Sequence, residues 1–149
     1  MSVKPTGRTK SIVRELAAGT AKRLLTSGIN VALHKIGRDN VLETKSQMTD
    51  EPKTGKWYTY KGRRYRASAP GEAPAVRSGA LVKSIKYTVS GGNRMEYGDR
   101  QEYGRYLEDG TDKMAARPHI AETESRRQEH NKRLLKQAGA KALKIGRGI

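Results

Sequence analysis

An α+β fold is predicted for this 149-residue chain from three observations. Apolar residues recur at helical spacing through its first third. Two later stretches of aromatic and β-branched residues are each split by a glycine turn. A long polar segment with the charge order of a helix closes the chain. The expected architecture is a long N-terminal helix packed on a small antiparallel sheet, with a short helix and a polar C-terminal helix added. A flexible arm over 1–9, a single domain over 10–138 and a basic tail over 139–149 are the expected divisions, the length being about that of one ordinary domain.

Residues 1–9 are polar and hold Pro5 and Gly7, which suits an arm. From Lys10 to about Gln47 a helix is predicted by Val13, Leu16, Ala17, Ala21, Leu24, Leu25, Ala32, Ile36, Val41 and Leu42. Gly19, Gly28 and Gly37 each cost about 1 kcal/mol against Ala in a helix interior, so a bend or break is expected near Ser27-Gly28. In "TGKWYTYKGRRYRAS", Trp57 to Tyr60 favour strand, Lys61-Gly62 makes a tight turn and Arg64 to Ser68 return antiparallel. Pro70-Gly71 and Pro74 end that hairpin. Ser78 is the expected N-cap of a short helix in "SGALVKSI", with Leu81 and Ile85 one turn apart on one face. "IKYTVSGG" and "RMEYGD" predict a second hairpin turning at Gly91-Gly92-Asn93.

Residues 101–109 predict a short helix carrying Tyr103, Tyr106 and Leu107, stopped by Gly110 in the left-handed conformation. Pro118 suits the first turn of the last helix. Early Glu122 and Glu124 and late Arg133 and Lys136 match that helix's dipole. It holds few large apolar residues before Leu134 and is expected to be exposed or bound to a partner. The basic "AKALKIGRGI" after Gly139 reads as the tail.

The chain is 34% hydrophobic, with one Trp, seven Tyr and no Phe, which makes a thin core for its length. Surface completed by neighbouring subunits is therefore expected. The net charge of +16 lies in the flanks: residues 1–66 carry +10, residues 67–121 only +1 and residues 122–149 +5. Such a charge either meets a polyanion or decorates extended arms. The absence of cysteine excludes disulfides, thiolate metal sites and cysteine nucleophiles. Neither a signal-peptide apolar region nor a run of roughly 18 apolar residues occurs, so a soluble protein made in a cytoplasm, with no membrane partner, is expected.

Catalytic motifs are sparse. His34, His119 and His130 have no metal-ligand spacing and read as structural or solvent-facing. Glu96, Asp99, Glu102, Glu108, Asp109 and Asp112 cluster, but Arg94, Arg100, Arg105, Lys113 and Arg117 are interleaved with them. Ion pairing explains them more simply than paired-carboxylate or Mg²⁺ chemistry. Glu108 and Arg117 are expected to pair around the Gly110 turn. No cofactor, metal site or enzymatic activity is expected. "YTYKGRRYRAS" interleaves aromatics with arginines, as single-strand nucleic-acid platforms do and as ordinary amphipathic hairpins also do. A basic nucleic-acid-binding protein and a small basic RNase of the toxin type both stay open on the residues alone.

"EYGRYLEDGTDKMAARPHI", residues 102–120, fits an intersubunit surface better than a catalytic loop, since Tyr, Met and Arg are enriched at interfaces. Together with "SAPGEAPAVRSGALVKSI", residues 68–85, it resembles the paired motifs of the tail-completion, or neck, proteins of long-tailed double-stranded-DNA phages, the group typified by the tenth gene product of a lambdoid phage. The first motif is carried by Ser68, Ala69, Pro70, Gly71, Pro74, Ser78, Gly79, Leu81, Ser84 and Ile85. The second is carried by Tyr106, Glu108, Gly110, Thr111, Met114, Ala116, Arg117 and Pro118. The close resemblance covers about residues 65–125. Asp109 stands where an aromatic is common in the family and His119 where Phe is common.

The resemblance implies a structural virion protein, assembled in the host cytoplasm. It would form a homo-oligomeric ring of six copies in the neck, with the second motif as subunit interface and the first as a structural loop. Such a ring completes the tail end and joins head to tail around the DNA channel, touching head-closure or connector proteins and tail-terminator or tail-tube proteins. Contact with DNA would be non-specific. Tail-terminator and head-closure rings are the alternatives within that reading.

Overall fold

The computed structural model describes the backbone of residues 7–147 and the side chains of residues 19–145. The chain runs α1 (Gly7–Thr49), β1 (Trp57–Tyr60), β2 (Arg63–Arg66), α2 (Ala80–Ser84), β3 (Lys86–Ser90), β4 (Arg94–Gly98), α3 (Glu102–Asp109) and α4 (Ile120–Arg147). This is the expected α+β class. The strands form two separate antiparallel hairpins, β1–β2 and β3–β4. The second of these lies against α1.

α1 continues without interruption for 43 residues, through the expected break at Ser27-Gly28. Tertiary packing explains why. A Cβ on Gly28 would lie 3.4 Å from the Ala138 carbonyl oxygen and 3.7 Å from Ala142 Cβ, so the missing side chain is where α4 comes close. At Gly37 the ring of Tyr87 from β3 occupies the space, 2.3 Å from where a Cβ would stand. These contacts offset the weak helix propensity of glycine. Residues 7–9 of the expected arm already belong to α1, and residues 1–6 lie outside the described residues. Of the expected apolar stripe, Ala32 and Ile36 are buried and Val41 is half-buried, but Leu42 is 59% exposed. The side chains of Val13, Leu16 and Ala17 lie outside the described residues.

α4 packs antiparallel to α1 and does not stop at Gly139. It continues to Arg147, and Ala142 is buried on Gly28. The expected tail is thus helical through residue 147. The polar helix expected to be exposed or bound to a partner keeps most of its residues exposed but packs one face along α1, through polar groups. Thr44 and Thr123 are both fully buried, with their hydroxyls 2.8 Å apart. Gln47 Nε2 donates to Thr123 Oγ1 at 3.2 Å, and Asn131 Nδ2 donates to Asn40 Oδ1 at 3.1 Å. Each threonine hydroxyl also lies on a carbonyl one turn back, Thr44 on Asn40 at 2.9 Å and Thr123 on His119 at 2.8 Å. Arg127 reaches Asp39 at 3.5 Å. Most of these buried polar groups find one another, although Gln47 Oε1, Arg127 Nε and Asn131 Oδ1 are buried without a hydrogen-bond partner.

The apolar core is small. It consists of Met48, Ala73, Leu81 and Ile85, flanked by Val41, Val76, Val82 and Leu107. It joins the C-terminal end of α1 to the loop after β2, α2 and α3. Leu81 and Ile85 face inward together, as their spacing predicts. Ser78 is one residue outside the cap: Gly79 holds the N-cap position of α2, and Ser78 Oγ lies 3.4 Å from the Ala80 amide. The β1–β2 turn forms at Lys61-Gly62, both at positive φ (49° and 76°), the geometry that suits the twist of a two-residue hairpin.

Candidate functional site

The structure brings the two sequence motifs side by side. The Gly71 amide donates to the Ala116 carbonyl at 2.9 Å. Arg117 Nε donates to the Ser68 carbonyl at 3.3 Å and its Nη1 to the Ala115 carbonyl at 3.2 Å, while its own amide reaches Leu107 O at 2.6 Å. The Arg117 guanidinium therefore bridges the two motifs through backbone oxygens of each, using two of its several donors, while its backbone amide ties the second motif to α3. Glu72 fastens the first motif from behind. It accepts the Thr54 hydroxyl, the Ala69 amide at 2.8 Å and the Thr54 amide at 3.1 Å, donors that hold its carboxyl near 2, below the usual range.

Between the motifs opens a cleft of about 410 Å³, with Met48, Pro74, Leu81, Leu107 and Met114 in its lining and Tyr103 at its side. Pro74, Leu81 and Ile85 are buried, Gly79 is half-buried and Pro70, Gly71 and Ser78 are exposed. In the second motif Thr111 and Met114 exchange backbone hydrogen bonds at 2.8 and 3.1 Å, closing a tight turn. Tyr106 points away from the body and is 57% exposed. Thr111 is exposed, and Met114, Ala116, Arg117 and Pro118 are half-buried.

Gly110 has positive φ, but its conformation differs from the expected left-handed cap. At φ 77° and ψ 178° it occupies a region open essentially to glycine alone. Its amide caps Tyr106 O at 2.9 Å, and a Cβ would stand 2.8 Å from the Ala116 amide nitrogen. The glycine lets the chain after α3 fold back flat against residues 114–116. Pro118 is not in the first turn of α4; the helix begins two residues later, at Ile120.

Glu108 does not pair with Arg117. Its carboxylate faces the start of α4, where it accepts the amides of His119 (2.9 Å), Ile120 (3.0 Å) and Ala121 (2.7 Å). A charge from α3 thus caps another helix, placed where amides and dipole both favour an anion. His119 sits under this cap with no exposed surface. Its Nε2 lies 3.0 Å from Asp99 Oδ2, and its Nδ1 lies 2.9 Å from Glu108 Oε2 in an ion-pair contact that is not aligned as a hydrogen bond. Burial pulls the imidazole pKa down, but the two carboxylates outweigh it and the net direction is up. Burial would likewise raise the Glu108 carboxyl, yet its donors hold it near 2. The result is an imidazole clamped between two carboxylates that favour its protonated form.

Comparison with protein-family models, curated proteins and solved structures finds no match for this chain.

The His119 cluster looks like acid–base machinery in its composition, but the ring itself has no exposed surface, and Asp99 and Glu108 are only 11% and 19% exposed. Among the described residues no group of three His, Asp or Glu side chains is arranged to hold a metal ion. None of their helices is long and apolar enough to cross a membrane. Asp99 and His119 are the members of this arrangement that the sequence hid. They are 20 residues apart, on either side of α3, and no local pattern joins them. The only signal was His119 itself, an ionisable residue beside Pro118 that no spacing ties to Asp99.

Proposed function

We propose that this chain is a structural subunit of a phage neck: it forms a ring that completes the tail end and joins head to tail around the DNA channel. One observation carries the reading. The two motifs that carry the resemblance are fastened into a single surface, with Tyr106 projecting from it and a cleft of about 410 Å³ beside it. That arrangement gives each motif a reason to accompany the other: one builds the loop that the other presents. Supporting it, Val31, Leu42, Tyr103, Tyr106, Leu135 and Leu143 leave large apolar area in solvent around a small core, as subunits that bury surface against copies do. Ring size six, the virion location and the neighbouring connector and tail proteins come from the resemblance alone and are part of the proposal.

Native mass spectrometry and negative-stain imaging of the purified protein, alone and with assembled tails, test it. Closed rings, and loss of rings with a retained monomer fold in Tyr106→Ala, are the expected results. A monomer at every concentration that also fails to bind tail ends would overturn the reading.

A further inference from the structure

The β1–β2 hairpin has features that the ring reading does not use. From Lys56 to Arg66 it carries five cations and no acid. Among the described residues none of Lys56, Lys61, Arg63, Arg64 or Arg66 forms an ion pair with a carboxylate. The register puts Trp57 opposite Arg66 and Thr59 opposite Arg64, so these four share one face. All four are exposed, Trp57 at 57%. The guanidiniums of Arg64 and Arg66 lie 5.1 and 5.9 Å from the Trp57 ring centroid. Arg66 is further fixed by bonds to the Gly55 and Thr54 carbonyls at 3.0 and 3.2 Å. On the other face Tyr58 stacks on Tyr65, and Arg77 from the following loop lies 4.8 Å from the Tyr60 ring. Glu72, at the hairpin base, directs its carboxylate to Thr54 and Ala69 and forms no ion pair with the hairpin cations.

We infer that this hairpin binds the phosphate backbone of duplex DNA without reading its sequence. Its rings hold their own guanidiniums, so they act as supports that fix cations in place at low entropic cost. Cations held in place without acidic partners complement a line of phosphates. The hairpin needs no ring: a protein that stays monomeric at every concentration and fails to bind tail ends, yet binds DNA this way, would refute the neck proposal and leave this one standing, and a ring that ignores DNA would do the reverse.

Trp57 is the sole tryptophan, so its emission reports this surface alone. The full chain is titrated with a duplex oligonucleotide, a single-stranded oligonucleotide and polyglutamate. Engaging about four phosphates gives a salt slope near −3.6, or about 150-fold weaker duplex binding between about 50 and 200 mM salt. The expected result is a Trp57 emission change on duplex addition with that dependence, the same for unrelated sequences. Replacing two cations in R63A/R64A should roughly halve the slope, while K141A/K144A, which removes equal charge from α4, should leave it nearly unchanged. Duplex binding with silent Trp57 emission, or equal losses in both double variants, overturns the inference. Tighter binding of polyglutamate would assign the hairpin to an acidic protein surface, and tight, salt-insensitive binding of single strands would assign it to base stacking; either overturns it too.

Discussion

Glu108→Gln probes the link between α3 and α4 most directly. The carboxylate accepts three backbone amides and faces the His119 ring, and its side chain is only 19% exposed. Its carboxyl is held at about 2 against an ordinary 4.5. At about 1.4 kcal/mol per unit, this corresponds to stabilisation on the order of 3 kcal/mol from the charged form at neutral pH. Glutamine keeps an acceptor oxygen but loses the charge, so a loss of about 2–3 kcal/mol is expected, a melting temperature lower by roughly 6–10 °C. The sign with pH is fixed. A depressed folded-state pKa means that the stabilisation is complete above the ordinary value and disappears as pH falls toward the folded one. The gap between the parent protein and the variant should therefore be wide at neutral pH and close progressively below about 4.5. Urea unfolding followed by far-UV circular dichroism across this range measures it. A neutral-pH gap under about 0.5 kcal/mol, or one that persists undiminished near pH 2, would refute the cap as described.

His119 titrates in the opposite sense: its pKa is raised, so its contribution is full below 6.5 and is lost as pH rises through the folded value. Asp99→Asn should weaken the fold at about pH 6 more than at about pH 9, and NMR titration of His119 should give a midpoint above 6.5 in the parent protein. Gly110→Val should cost about 2–3 kcal/mol in chemical denaturation, because the φ, ψ pair excludes it and Ala116 blocks its Cβ; a loss under about 0.5 kcal/mol would contradict that geometry. Gly37→Ala should cost about 1–3 kcal/mol by displacing the Tyr87 ring, and the added loss should largely vanish in a Tyr87→Ala background, which a double-mutant cycle reads directly.

Local chemistry made much of this fold legible. The two hairpins turn at Lys61-Gly62 and at residues 91–93, where positive φ and short loops leave a sequence little choice. Leu81 and Ile85 found the core from their spacing. What stayed hidden depends on neighbours far along the chain. Gly28 and Gly139 read as helix breakers because nothing local announces that α4 returns to α1. Burial of Thr44, Gln47 and Thr123 has no counterpart in the sequence pattern, since polar residues at core positions carry no periodic hydrophobic signal. For Glu108 the sequence suggests Arg117, the opposite charge best placed around the Gly110 turn. A carboxylate's strongest partners can be bare amides at a helix start, which no residue letter displays.

Two helices joined by leucines can slip by a turn and still find oil. α1 and α4 cannot: a shift of one turn, about 5.4 Å, separates Thr44 from Thr123 and Asn40 from Asn131 and breaks every side-chain bond that pairs them across the seam. Sideways separation is far gentler, because the same hydroxyls and amides are satisfied by water once parted. The seam therefore behaves like a vernier scale, intolerant of sliding and lenient toward lifting. α4 should leave and return as a unit to one position only, seen as faster amide exchange along α4 than across the β3–β4 hairpin at unchanged global stability.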